Sequence, residues 1–170
     1  MADNSPTNSP ADSPASTVPL KAFLQSETVL TLSVNDDQGP WTAPVLYVAD
    51  EALNLYFLSS SSTRHIANLP EDGRIAASIY SDYKGDWLRI CGVQMEADIS
   101  QVDETGRAAA AASYFQRFPE VKALIDNPAN EQEKRIGAAF AKSHFYRVTP
   151  TFLRFINNAN GFSSRNEWRF

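Results

Sequence analysis

The stretch TVLTLSVNDDQGPWTAPVLYV, residues 28–48, predicts an antiparallel β-hairpin. Thr28–Val34 is rich in residues that favour strands. Asn35–Gly39 is a turn that ends in glycine, which tolerates a positive φ. Trp41–Val48 is the returning strand, and Pro44 within it removes one backbone donor, which indicates an edge position or a bulge. The fold therefore begins with an antiparallel pair of strands.

Beyond this hairpin, short apolar strands alternate with helical segments. Strands are predicted at Leu53–Leu58, Arg74–Tyr80, Trp87–Ser100 and His144–Ile156, the last of them interrupted at Pro150. Helices are predicted at Pro19–Ser26, Thr63–Leu69, Asp103–Phe118 (ended by Pro119) and about Glu131–Lys142. The apolar face of Trp87–Ser100 switches at Gly92, as in a strand that bends around a small barrel. Six or so antiparallel strands with interspersed helices predict an α+β, mainly antiparallel fold of the barrel class.

The composition is that of a single globular domain preceded by a polar tail. The chain has 170 residues, of which 43% are hydrophobic. Residues 1–19 contain four Ser, four Pro and no Lys or Arg, so they are predicted to be a disordered tail. Residues 20–170 are long enough to form one domain with a sizeable core.

Several classes of function are disfavoured by the same composition. The sequence has neither an apolar run long enough to cross a membrane nor the pattern of a signal peptide, so a cytoplasmic protein is expected. The net charge of −5 argues against nucleic acid as a partner. Cys91 is the single cysteine and is interpreted as a small buried apolar residue. With only two histidines, neither in a metal-binding motif, no metal site is expected.

The most informative local pattern is Ser59-Ser-Ser-Ser-Thr-Arg64, at the end of a strand and the start of a helix. Hydroxyl groups, a guanidinium and the free N–H groups of a helix start can together hold a phosphate without a glycine-rich loop. The alternative is a solvated serine loop with Thr63 as the helix cap. His65 follows directly, either as a half-exposed helix residue, as a further contact to the anion, or as a haem ligand.

The C-terminal segment adds a second indication of an anionic ligand. Residues 142–170 contain five Lys or Arg and one acid, Glu167, a local charge of +4 in an acidic protein. Such a concentration of positive charge favours an anionic ligand, although a solvated cationic strand face would show the same pattern. Trp168 near the terminus is either a packing residue or a flat surface for stacking.

In the order and spacing of these segments, the sequence resembles the pyridoxamine 5′-phosphate oxidase-like family of FMN-binding split barrels, and within it the small single-domain branch. The resemblance covers most of residues 20–168. It is carried by Thr28–Val34, Ser61–His65, Arg89-x-x-Gly92-Val93-Gln94, Tyr114-x-x-Arg117-Phe118-Pro119 and Phe155-x-Asn157-Asn158-x-x-Gly161-Phe162. The fold that it implies is a six-stranded split β-barrel with flanking helices.

The resemblance also implies a homodimer with FMN at the subunit interface and a small-molecule redox substrate. The flavin ring would lie against the strand around Ala43–Leu46, and the phosphate would be held by the strand-end hydroxyls and Arg64. The partner subunit would complete the site with residues near Gln94 and Trp168. The cofactor-binding residues implied are Ala43, Pro44, Val45, Ser59, Ser60, Ser62, Thr63, Arg64, Gln94 and Trp168.

Two other functions remain open at this stage. Related split barrels bind or degrade haem, in which case His65 or His144 would be the axial ligand. A flavin-binding module without catalytic activity is the third possibility. No side chain is an obvious catalytic acid or base, which fits chemistry performed by a bound flavin. The basic residue that usually follows the arginine is His65 here, so vitamin B6 oxidation is not the expected reaction.

Overall fold

The structure is a computed structural model that describes residues 16–170. The strands are β1 Val29–Asp36, β2 Gly39–Ala49, β3 Leu55–Ser59, β4 Arg74–Tyr80, β5 Cys91–Gln101, β6 His144–Asn157 and β7 Arg165–Arg169. The helices are α1 Val18–Ser26, α2 Arg64–Ala67, α3 Glu104–Arg117, α4 Pro119–Asp126 and α5 Glu131–Ala141. Helix α1 begins two residues inside the predicted tail, and the rest of the prediction for residues 1–15 lies outside the described residues. None of these helices is long and apolar enough to cross a membrane.

Six strands form a closed antiparallel barrel. They pair in the order β3-β2-β1-β4-β5-β6, and β3 also pairs with β6, which closes the sheet on itself. Strand β7 pairs with the C-terminal half of β6 and lies outside the closed barrel. The predicted six-stranded split barrel with flanking helices is therefore confirmed.

The barrel interior is filled by alternate residues of strands β1–β6, and a helix closes each end. At one end, α1 inserts Leu20, Phe23 and Leu24, and the Tyr47 hydroxyl donates a 2.7 Å hydrogen bond to the carbonyl of Leu24. At the opposite end, Ile66 of α2 joins the same core. The turn that carries the polar segment is thus attached to the core by a buried aliphatic residue.

A second apolar core lies outside the barrel, between the sheet and helices α3 and α4. Its buried members include Val48, Tyr114, Phe118 and Phe145, with the rings of Tyr114 and Phe118 4.9 Å apart. These helices cover the outer face of β2, β3 and the start of β6. The outer face of β4 and β5 carries exposed side chains instead, so the two halves of the barrel surface differ in character.

Four details differ from the prediction. Trp87–Arg89 forms a 3-10 turn, so strand β5 starts later than expected, at Cys91. Pro119 ends α3 but also begins α4, as proline can because the first helical turn needs no N–H from it. Pro150 does not interrupt β6, since a bulge opposite Glu96 and Ala97 accommodates it. Strand β7 was missed because it is short, polar and charged, and β6 supplies its pairing.

Candidate functional site

The predicted anion-binding segment forms a compact polar corner where β3 ends. Ser59 is the last residue of β3, residues 60–62 form a turn, and Thr63 precedes α2. The Thr63 hydroxyl donates to the carbonyl of Ser60 at 2.8 Å, and the hydroxyls of Ser60 and Ser62 lie 2.9 Å apart. Helix α2 has only four residues, so few peptide dipoles are aligned here. The polar groups that this corner offers are therefore mainly those of its side chains.

Arg64, the predicted phosphate ligand, makes a two-point ion pair. Its Nε donates to Asp36 Oδ2 at 2.8 Å and its Nη2 donates to Asp36 Oδ1 at 2.9 Å. The guanidinium also lies over the ring of Trp41, 4.5 Å from its centroid. The bond to Arg64 lowers the pKa of the Asp36 carboxyl below its usual value. Two of the five guanidinium N–H groups are engaged by Asp36, and the remaining ones are available to a ligand.

His65 faces the hydroxyls of the corner. Its Nε2 lies 2.9 Å from the Ser59 hydroxyl and 3.3 Å from the Thr63 hydroxyl. Burial lowers the pKa of the His65 ring, which favours the neutral form. The ring therefore organises the hydroxyl groups of the corner through its Nε2.

The edge of β2 beside this corner lacks a second strand neighbour. Residues 39–46 pair with β1, whereas pairing with β3 is confined to residues 47–49. Pro44 points outward and is exposed, whereas Ala43 is buried and Val45 packs against the barrel core. A ligand at this edge would meet backbone groups and Pro44. The edge position that Pro44 predicted is confirmed.

Gln94 lies three strands away from this edge. Cross-strand neighbours connect Pro44 with Thr31, Ser78 and Gln94 along the outer face of the barrel. At about 4.8 Å per strand, this row places Gln94 about 14 Å from Pro44. One chain therefore does not bring Gln94 to the corner, and its role in a shared site stays a prediction.

Trp168 does not reach the corner either. It lies opposite Leu153 in the β6–β7 pair and packs against the barrel core, as its alternative interpretation proposed. In the basic C-terminal segment, Arg154 forms an ion pair with Glu167 at 2.7 Å. Part of the local positive charge is therefore neutralised within the chain.

A comparison with protein families gives the identity of this fold. The model of the family described as pyridoxamine 5′-phosphate oxidase matches residues 18–156. The chain belongs to this family. A UPF0306 protein of Campylobacter jejuni is 30% identical over 148 residues, covering 86% of this chain and 93% of the relative. A UPF0306 protein of Klebsiella pneumoniae is 26% identical over 148 residues, covering 86% of this chain and 88% of the relative.

Solved structures with the same split-barrel fold are named for different ligands, some for heme and others for FAD. The heme binding protein of Mycobacterium smegmatis superimposes with a TM-score of 0.69 at 18% identity, covering 94% of this chain and 60% of that one. The FAD binding protein of the same organism superimposes with a TM-score of 0.59 at 17% identity, covering 91% of this chain and 97% of that one. The heme storage protein HutZ of Vibrio cholerae superimposes with a TM-score of 0.58 at 19% identity, covering 78% of this chain and 87% of that one. At these identities the likeness shows the fold.

Sequence reasoning missed two residues of the corner in this family member. Asp36 was interpreted as part of a turn and Trp41 as part of a strand, yet both contact Arg64. The one available signal was their position, at either side of the first hairpin turn.

Of the two histidines, His144 is the cross-strand neighbour of Ser59 and lies with its Nδ1 3.4 Å from Gln101 Nε2. No group of three potential metal ligands occurs in residues 16–170.

Proposed function

We propose that this protein is an FMN-dependent oxidoreductase of the pyridoxamine 5′-phosphate oxidase type that acts as a homodimer on a small-molecule redox substrate. The observation that carries the proposal is the Arg64 guanidinium, held by Asp36 and Trp41, which follows directly in the chain on the hydroxyl-bearing residues Ser59–Thr63. A phosphate monoester offers several acceptor oxygens, and this corner offers hydroxyl and guanidinium donors. The donor set fits the phosphate of FMN.

The unpaired edge of β2 supports a planar cofactor beside this corner. Residues 41–46 keep backbone groups on that edge that no neighbouring strand uses. A flavin ring carries both donors and acceptors at its rim, which can pair with backbone groups that no strand uses. The exposed ring of Pro44 would limit how closely that cofactor lies against the strand.

When bound, FMN supplies hydride or electron transfer. The chain's own residues bind and orient it. His65 holds the Ser59 and Thr63 hydroxyls in place, and its low pKa keeps it from adding a positive charge at neutral pH. Because Asp36 offsets the charge of Arg64, recognition of the phosphate depends on directed N–H and O–H groups.

Exposed apolar side chains support the proposed dimer. Val29, Tyr80 and Ile90 are exposed on the strands and the loop at the uncovered side of the barrel. Trp87 and Phe162 stand on two adjacent loops and contact each other edge to face at 5.7 Å. Exposed apolar side chains of this size are typical of subunit interfaces. Sedimentation of the flavin-loaded protein as a monomer at micromolar concentration would contradict the dimer.

The proposed cofactor is tested by the absorption spectrum of the purified full chain, before and after reconstitution with FMN, riboflavin or haemin. We expect the two visible bands of a protein-bound flavin and tighter binding of FMN than of riboflavin. Flavin bound without any turnover would favour the non-enzymatic module. A Soret band with no flavin binding would overturn the proposal.

Haem binding is the second candidate, favoured by the names of the M. smegmatis and V. cholerae structures. Because the Nε2 of His65 is engaged by two hydroxyls, His144 would be the axial ligand in that case. Titration of haemin into His144→Ala and His65→Ala variants separates the candidates. Loss of the Soret band in the His144 variant alone would support haem, and equal weak binding by both would exclude it.

A further inference from the structure

A cavity lies outside the barrel, between helix α3 and the sheet. It has a volume of about 320 Å³ and is enclosed by helix α3, the ends of β2 and β5, and the outer faces of β3 and β6. This volume is at the small end of the range for pockets that bind organic ligands. None of its lining residues belongs to the Ser59–Arg64 corner or to the free edge of β2.

The cavity exists because one face of α3 carries small side chains. Gly106, Ala109, Ala110 and Ser113 follow the helical spacing of three and four residues and line the cavity, with Ala110 buried against the sheet and Ala109 and Ser113 at the exposed mouth. One turn further along, Tyr114 and Phe118 fill the same space between helix and sheet. The pocket is therefore the unfilled end of the outer core, with Val48 and Val102 as its apolar walls.

Three charged residues line this cavity, and two of them, both acids, already accept hydrogen bonds from neighbouring residues of the chain. The Asp50 carboxylate accepts four hydrogen bonds, from the N–H groups of Ala52 and Asn54, the Asn54 side chain and the Tyr56 hydroxyl. Asp103 caps α3 by accepting from the N–H of Gly106 at 2.9 Å. Both acids therefore hold the backbone around the pocket.

Arg147 is the third charged residue and the one cation among the lining residues. It is the cross-strand neighbour of Tyr56, and its guanidinium interacts with the Tyr56 hydroxyl. No salt bridge joins it to Asp50 or Asp103 within the described residues. The pKa of the Asp103 carboxyl is lowered by the N–H of Gly106 and, to a smaller extent, by the charge of Arg147. The N–H groups of Arg147 that do not contact Tyr56 lie at the cavity, where they can donate to an anion.

We propose that this cavity is a second ligand site, which binds a small organic carboxylate with its acid group on Arg147 and its apolar body against Val48, Val102 and Ala109. A short fatty acid or an aryl carboxylate has this combination of one anionic group and a compact apolar body. The proposal is independent of the proposed flavin site, because the two share no residue.

The test is a titration of the ¹⁵N-labelled full chain with hexanoate, followed by NMR. We expect saturable shifts at the amides of Gly106, Ala109 and Ser113. Hexanamide and hexylamine keep the apolar body but lack the negative charge, so they should bind about tenfold more weakly. Equal binding of all three compounds, or no saturable shifts at these amides, would overturn the proposal.

Two pairs of variants locate the binding. Ala109→Leu fills the cavity and should abolish binding of hexanoate, whereas Ala112→Leu adds the same side chain to the exposed face of the same helix and should not. Arg147→Gln should weaken hexanoate about tenfold and leave hexanamide unchanged, whereas Arg135→Gln on exposed α5 should change neither. Hexanoate binding that survives Ala109→Leu would overturn the proposal even where Arg147→Gln reduces it.

Discussion

Arg64 and Asp36 form an ion pair with two hydrogen bonds, across 28 residues of sequence and between the end of β1 and the first turn of α2. The Asp36 side chain is 7% exposed and the Arg64 side chain 29%. The pair fixes the plane of the guanidinium, and the ring of Trp41 lies against it. The cation at this corner is therefore oriented before any ligand arrives, which reduces the entropy lost on binding.

Replacing the guanidinium of Arg64 tests the phosphate site directly. Arg64→Ala is expected to weaken FMN about tenfold to hundredfold, because a hydrogen bond to a charged group is lost. Riboflavin lacks the phosphate and should bind the wild type and the variant almost equally. Fluorescence titration of both flavins into both proteins measures this. An equal loss of affinity for the two flavins in the variant would mean that Arg64 supports the fold and does not bind the phosphate.

The ion pair also predicts an acid-dependent loss of stability. Because the pKa of Asp36 is lowered from 3.8 in the folded chain, its contribution is present above that pH and is lost as the pH falls through the lowered value. Urea unfolding between about pH 5 and pH 2 measures it. Asp36→Asn should flatten this part of the profile, and Asp37→Asn, at the exposed neighbouring position, should leave it unchanged.

His65 predicts a second, separate pH dependence. Burial lowers its pKa from 6.5, so the unfolded chain binds a proton more readily than the folded one. The contribution of His65 to the free energy of unfolding is therefore fully present above pH 6.5 and is lost as the pH falls below it. His65→Gln should remove this slope while keeping a polar group near Ser59. A slope that persists in the variant would assign it to another residue.

Cys91 is expected to be chemically inert. Burial raises the pKa of its thiol to about 11, so the thiolate fraction near neutral pH is about a hundredfold below that of an ordinary cysteine. Mass spectrometry after iodoacetamide treatment should show an unmodified chain in native buffer and a modified one in urea. Cys91→Ala should retain flavin binding. Rapid alkylation of the native protein would contradict its structural role.

Arg117 joins helix α3 to the end of α1. Its Nη2 donates to the carbonyls of Ser26 and Glu27 at 3.2 and 2.9 Å. Arg117→Gln should lower the free energy of unfolding by about 1–3 kcal/mol, since these carbonyls would lose a charged donor. Arg107→Gln, on an exposed turn of the same helix, is the matched control. Unfolding curves that coincide for both variants would rule out this role of Arg117.

Local sequence was sufficient to predict most of the barrel. The alternation of β-formers in residues 28–48, the glycine of the first turn and the apolar runs of β4 and β6 are short-range patterns that fix where strands form. The composition of the corner was equally local, because Ser59–Arg64 are consecutive. Strand β7 was not predictable in this way, since its charged residues form a strand through pairing with β6.

The sequence by itself determined which residues could bind a phosphate, and the tertiary structure alone decided how they are arranged. Arg64 contacts Asp36 because strand register brings the end of β1 beside α2, and register depends on pairing across the whole barrel. His65 turns toward Ser59 because burial of its neighbour Ile66 fixes the orientation of α2. Similarly, the cavity beside Arg147 exists because helix α3 lies over β3 and β6, a long-range contact that no local pattern encodes.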